Sequence, residues 1–187
     1  MSGLTITSQP KSVTAKLNDA VSFTVKASGT GLTYQWQWRK NSASSWATTT
    51  VSGNKTATIS VSATAARNGY QYRCVVKDAN GKTVTSNGAT LTVEIPLVIN
   101  TQPENVTANI GDAVSFTVKA SGNGLTYQWQ YRTSATGTWK NTTLSGAKTA
   151  TLKATATTAR NGFQYRCVVT DSAGEVVNSN AVTLTVK

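Results

Sequence analysis

There is no histidine anywhere in this chain, and only seven of its 187 residues are acidic. Without imidazole there is no His-based catalytic triad, no imidazole general base and no histidine metal ligand. Seven carboxylates leave few to pair, and no two within one half fall at a spacing that suggests a glycosidase acid–base couple. Cysteine is scarcer still: Cys74 and Cys167 are the only two, one in each half. A small secreted domain stapled by disulfides needs an even number, so neither half depends on oxidation for its fold. Prolines number three. No apolar run approaches the ~20 residues that cross a bilayer, and no window shows a 3.6-residue apolar period. The opening Met1-Ser2-Gly3-Leu4 lacks the basic and apolar regions of a signal peptide. It reads as an added start on a piece of a longer protein.

What is abundant is positive charge and β-forming residues. Eighteen basic side chains against seven acidic ones give a formal charge of +11. The first 95 residues carry ten basic and three acidic groups, the remainder eight and four. Such a balance draws polyanions loosely. With no block of consecutive Lys or Arg, the simpler reading is a solvated charged surface, and specific nucleic-acid binding is not expected.

The chain repeats itself. Residues 6–94 lie over residues 99–187 at an offset of 93 without a gap, and about 60% of the positions are identical. Trp36 falls on Trp129, Trp46 on Trp139 and Cys74 on Cys167. A period this long is a whole small domain rather than a solenoid unit. The expected organisation is a domain over 1–94, a short stiff linker over 95–98 containing Pro96, and a second domain over 99–187.

Within each copy, apolar residues alternate with polar ones. Val21, Phe23, Val25 and Ala27 form one such row, Tyr34, Trp36 and Trp38 a second, and Ala57, Ile59 and Val61 a third. Tyr70, Tyr72, Cys74 and Val76 form a fourth, and Ala89, Leu91 and Val93 close the copy. Asp78-Ala79-Asn80-Gly81 reads as a hairpin turn. Six or seven short strands per copy describe a β-sandwich. Cys74 follows Trp36 by 38 residues within Tyr72-Arg73-Cys74, the spacing of the immunoglobulin central Trp and tyrosine corner. The partner cysteine would occupy Val25, and Val118 in the second copy. The predicted class is therefore all-β: two immunoglobulin-like Greek-key sandwiches in tandem with no inter-sheet disulfide.

The strings Leu32-Thr33-Tyr34-Gln35-Trp36-Gln37 and Asn68-Gly69-Tyr70-Gln71-Tyr72-Arg73-Cys74, with Trp46 between them, resemble bacterial immunoglobulin-like domains. Such modules occur in tandem in surface proteins of Gram-positive bacteria. The resemblance implies an extracellular location on a bacterial surface and neighbouring immunoglobulin-like domains in the parent protein. It implies no ligand, because one sandwich serves many functions.

No cofactor or metal is expected. Asp78 and Asn80 faintly suggest a calcium loop, but the matching Asp171-Ser172-Ala173-Gly174 lacks the second ligand. Cys74 lies in an inward row and is read as a packed thiol. Binding candidates are of two kinds. The outward row Gln35, Gln37, Gln71 and Arg73, repeated as Gln128, Gln130, Gln164 and Arg166, offers hydrogen bonds to a glycan or a partner protein. It is equally an ordinary solvated sheet face. Trp38 and Trp46, with Tyr131 and Trp139, lie nearer the sheet edge, as core or edge packing or as a sugar-stacking platform. Residues 40–46 and 133–139 differ most between copies and are where specificity is expected. The leading expectation is a monomeric, non-catalytic piece of a cell-surface stalk or adhesin, whose partner is a polysaccharide or a host or cell-surface protein. The alternatives are a glycan-binding accessory region of a secreted carbohydrate-active enzyme and a phage decoration domain. Membrane insertion is not expected.

Overall fold

A computed structural model describes residues 3–187; Met1 and Ser2, part of the start discussed above, lie outside the described residues. The chain divides into two compact units between Ile95 and Pro96. In the first unit the strands are β1 (Thr5–Ser8), β2 (Val13–Lys16), β3 (Ala20–Thr24), β4 (Lys26–Ser28) and β5 (Thr33–Arg39). They continue with β6 (Ala47–Thr48), β7 (Thr58–Ser62), β8 (Gln71–Lys77), β9 (Thr83–Thr85) and β10 (Ala89–Glu94). The second unit repeats them as β11 (Val98–Thr101), β12 (Val106–Ala108), β13 (Ala113–Thr117), β14 (Lys119–Ser121) and β15 (Thr126–Arg132). β16 (Lys140–Asn141), β17 (Thr151–Thr155), β18 (Gln164–Thr170), β19 (Val176–Asn178) and β20 (Val182–Val186) complete it.

One sheet of the first unit runs β2-β10-β8-β5-β6, with β9 also on β8. The facing layer pairs β3 with β7 and β1 with β4. β3 and β4 are one strand interrupted at Val25, whose N–H still donates to Ala57 O at 2.9 Å. The chain changes sheets at the buried Pro10: β1 pairs antiparallel with β4, whereas β2 pairs parallel with β10. Side chains stitch this crossing. Gln9 Oε1 accepts from Asn87 N at 2.8 Å and Ser12 Oγ from Thr90 N at 3.0 Å. Gln102 and Asn105 do the same work in the second unit. Ten strands per copy exceed the six or seven that alternation predicts, because β2, β4, β6 and β9 are four residues or shorter. So short a segment shows no period.

Alternation places the core as expected. Phe23, Val25, Trp36, Cys74, Val76 and Leu91 are buried, as are Phe116, Val118, Trp129, Cys167, Val169 and Leu184. Trp36 Nε1 donates to Thr56 O and Trp129 Nε1 to Thr149 O, both at 2.9 Å, so the buried indole N–H groups are satisfied. Phe23 stacks on Tyr72, and Phe116 on Tyr165, with centroids 5.0 Å apart in each pair. Each contact contributes about 0.5–1.5 kcal/mol beyond area burial, a partial offset to the ~2–5 kcal/mol of a missing staple. Both thiols are free and buried. Ser86 knits the backbone beside Cys74: its Oγ accepts from Cys74 N and donates to Asn87 O, each at 2.9 Å. Ser179 repeats this at Cys167.

A single 3-10 turn, Ala65–Arg67, precedes β8, and Thr158–Arg160 precedes β18. Asn68 follows the first. Its Oδ1 accepts from Val93 N at 2.9 Å, tying the turn to β10. At the hairpin between β8 and β9, Asp78 Oδ1 accepts from Asn80 N and Lys82 N. Gly81 alone supplies the positive φ there, so the turn is held by an Asx bond rather than by an Asn-Gly pair in left-handed conformation. In the segment expected to be a linker, Ile95 packs on the first core, Leu97 on the second, and Val98 opens β11.

Candidate functional site

The antiparallel pairing of β5 with β8 sets Gln37 opposite Arg73 and Arg39 opposite Gln71. All four point away from the core, and each bonds the residue directly opposite it. Arg73 Nε donates to Gln37 Oε1 at 2.8 Å, and Arg39 Nε to Gln71 Oε1 at 2.7 Å. Gln71 Nε2 continues to Thr90 Oγ1 on β10 at 3.4 Å. Trp46, just before β6, folds back across this face. The guanidinium carbons of Arg39 and Arg73 lie 4.5 and 4.4 Å from its ring centroid. Its far edge approaches Gly88 so closely that a Cβ there would lie 3.2 Å from the ring.

The second unit builds the same cluster. Arg132 and Arg166 lie 4.6 and 4.5 Å from the Trp139 centroid. Arg166 bonds Gln130 at 2.9 Å and Arg132 bonds Gln164 at 2.7 Å. Gln130 also reaches Asn141 Oδ1 on β16 at 3.0 Å. Partial burial, then repulsion from Arg39, pulls the Arg73 guanidinium below its ordinary pKa; Arg166 is displaced in the same way by burial and Arg132. β5, β6 and β8 carry no carboxylate, nor do β15, β16 and β18. The face is a cationic, hydrogen-bonding platform capped by one indole.

The twelve predicted residues therefore do not form a single set. Gln37, Trp46, Gln71 and Arg73 come together, as do Gln130, Trp139, Gln164 and Arg166. Gln35 and Gln128 share the outward row but turn their amides back on their own strand, donating to Trp36 O and Trp129 O. Trp38 and Tyr131 belong to the opposite side. Trp38 stacks on Tyr70 at 4.9 Å and 19°, and Tyr131 on Phe163 at 5.8 Å and 15°. Trp38 and Trp46, which sequence sets together near the sheet edge, part in the structure: period 2 sends Trp38 inward to pack on Tyr70, while Trp46 leaves a loop of no fixed period and reaches the outer face. Arg39 and Arg132 are the residues that sequence reasoning missed. Both stand in the outward row two positions beyond Gln37 and Gln130, and that phase was the available signal.

Beside each stacked aromatic pair the sandwich leaves a cavity, about 450 Å³ in the first unit and 360 Å³ in the second. Tyr72 and Tyr165 reach these cavities from β8 and β18. The buried Tyr165 hydroxyl has no hydrogen-bond partner among the described residues. Among the described residues no group of three metal-ligating side chains occurs. No described helix is long and apolar enough to cross a membrane.

Comparison with known proteins gives the family. No curated protein matches the chain. The overall structure resembles extracellular domains 3–5 of Drosophila OTK, with a TM-score of 0.61, 20% identity, and coverage of 98% of this chain and 65% of that one. It also resembles the N-terminal four immunoglobulin domains of Dscam1 isoform 7.44, with a TM-score of 0.67, 16% identity, and coverage of 99% and 46%. A complex of Dpr11 IG1 with DIP-gamma IG+IG2 matches at a TM-score of 0.56 and 12% identity over 99% of each chain. None of these three is a bacterial surface protein, and at such identities they bear on the fold alone. The chain spans about two thirds of the OTK structure and about half of the Dscam1 structure. The sequence profile of the immunoglobulin I-set domain matches residues 4–93 and again 97–186, so the chain belongs to the immunoglobulin I-set family, twice over.

Proposed function

We propose that the chain is a pair of non-catalytic interaction domains, each presenting the outer face of its β5–β8 or β15–β18 ribbon to an acidic protein surface. The observation that carries this reading is the duplicated Trp–Arg–Arg–Gln cluster. Paired guanidiniums on an indole, with glutamines beside them, offer carboxylates charge and forked hydrogen bonds together. The absence of carboxylates on the same strands and the formal charge of +11 favour the same sign of partner. We further propose, from the motif strings shared with bacterial immunoglobulin-like domains, that the parent is a stalk or adhesin on a bacterial surface. The variable segments 40–46 and 133–139 end on the two tryptophans and would tune the partner.

The test uses immobilised poly-glutamate as the acidic surface and the full chain in solution, read by interferometry at two ionic strengths. Arg73→Gln with Arg166→Gln should weaken binding severalfold. Lys82→Gln with Lys148→Gln changes net charge equally, away from the clusters, and should leave it nearly intact. Equal losses from the two pairs would show that overall charge, not this face, drives binding and would defeat the proposal.

A further inference from the structure

The cavity beside the stacked aromatics occurs in both units, in the same place and with matching walls. At about 450 and 360 Å³ it lies within the ~300–1,000 Å³ of small-molecule sites. One wall is the aromatic pair, Trp38 with Tyr70 or Tyr131 with Phe163, whose rings are half-buried and so keep surface open to the cavity. Facing them is a short polar segment, residues 48–50 in the first unit (Thr48, Thr49, Thr50) and 141–143 in the second (Asn141, Thr142, Thr143). An arginine from the 3-10 turn stands at each rim, anchored through Nη1: Arg67 to Ser62 O and Arg160 to Thr155 O, both at 3.0 Å. Among the described residues no carboxylate lines either cavity.

The second cavity adds an observation that points to an occupant. Tyr165 lines it, is 1% exposed, and its hydroxyl lacks a hydrogen-bond partner among the described residues. A hydroxyl removed from water without a partner is unfavourable, and it persists in few native positions without a reason. The lining narrows what would satisfy it. An apolar ligand leaves the hydroxyls and the guanidinium unpaired. A cation meets the arginine. A flat-faced ring that carries hydroxyls and one carboxylate answers all three features.

We propose that each cavity binds one acidic pyranose residue of a glycan. The C–H face of the ring lies on the aromatic wall, its hydroxyls meet the threonine or asparagine segment, and its carboxylate pairs with Arg67 or Arg160. In the second unit the Tyr165 hydroxyl supplies a further hydrogen bond. The site is separate from the outer face, and the proposal does not rest on the acidic-protein reading.

The experiment titrates the full, isotopically labelled chain with trigalacturonate and, in a parallel arm, with the neutral galactose trisaccharide, following amide and indole NMR signals. The expected result is saturable shifts confined to residues around Trp38, Thr49 and Tyr70 and around Thr142 and Phe163, stronger for the acidic sugar. Tyr165→Phe deletes only the unpaired hydroxyl, so the fold should survive at equal or greater stability. Affinity at the second site should nonetheless fall about tenfold, the equivalent of one net hydrogen bond. Arg160→Gln should abolish the preference for the acid there. Lys82→Gln, outside both cavities, should leave both sites unchanged. Absence of shifts at both cavities, unaltered affinity in Tyr165→Phe, or shifts centred instead on Trp46 and Trp139 would each overturn the proposal.

Discussion

The two thiols stand where other immunoglobulin domains place half of a disulfide, and their burial has a consequence for stability in alkali. Desolvation pushes Cys74 from an ordinary 9.0 to about 11 and Cys167 to about 12, partly opposed by backbone hydrogen bonds at Gln35 and Gln128. Up to about pH 8 folded and unfolded chains both hold the thiol proton, so these groups contribute almost no pH dependence there. Above pH 9 the unfolded chain releases protons that the folded chain keeps, and stability must fall as pH rises. At pH 10 the loss is about 1.4 kcal/mol per thiol. That figure hardly depends on whether the folded value is 11 or 12, since the buried group is still protonated in either case.

Urea unfolding at pH 8 and pH 10, followed by tryptophan fluorescence on the full chain, measures this directly. Tyrosine adds a slope of its own: burial raises Tyr72 and Tyr165 as well. That slope is common to the native sequence and to Cys74→Ala or Cys167→Ala, so the difference between proteins isolates the thiol. Each alanine variant should lose about 1.4 kcal/mol less than the native sequence between the two pH values, in its own domain. An identical pH response in the native chain and both variants would refute the assignment of these thiols to a desolvated core.

Three further outcomes follow from the packing. Trp46→Ala removes the ring under two guanidiniums and should destabilise the first domain by about 1–2 kcal/mol in thermal or urea unfolding; Trp46→Phe should recover part of that loss. Ser86→Ala leaves the buried Cys74 N–H without its acceptor and should destabilise by about 1–3 kcal/mol, with faster amide exchange at Cys74. Gly53→Ala and Gly69→Ala both place a side chain at positive φ, 80° and 84°. A Cβ on Gly53 would also collide with the Thr58 carbonyl, whereas Gly69 faces open space, so the first should cost clearly more than the ~1–2 kcal/mol of the second.

How much of this was legible in sequence depended on length of period. Tyr34-x-Trp36-x-Trp38 and Tyr72-x-Cys74-x-Val76 each run long enough for inward and outward phases to be unmistakable, so the central pair of strands and their core were readable. β6 and β9 have two and three residues, and hydrogen bonding rather than pattern defines them. Trp46 and Trp139 were recognisable as unusual but not placeable, because they leave loops whose path is set by the arginines they cover. Arg39 and Arg132 were readable in phase yet carried no signal alone; their partners lie 32 residues away at Gln71 and Gln164. The unpaired Tyr165 hydroxyl has no sequence signature. Its twin Tyr72 lies between the same Gln and Arg in the string, and only three-dimensional burial reveals the orphan.

The two proposed surfaces are carried by a single strand in each domain, and this makes them separable. Along β5, Gln37 and Arg39 point to the outer platform while Trp38, between them, points to the cavity; β15 divides Gln130 and Arg132 from Tyr131 in the same way. A slip of one residue in the β5–β8 register would exchange the two sets, burying guanidiniums against Phe23 and Tyr72 and exposing Trp36. Trp36, fully buried with its indole N–H bonded to Thr56, holds the register against that slip. Substitutions at adjacent positions should therefore dissociate the functions: Arg39→Gln should weaken poly-glutamate binding and leave the trigalacturonate shifts intact, and Trp38→Ala should do the reverse. If both variants lost both activities together, the strand would be acting as one unit and the division into two sites would be wrong.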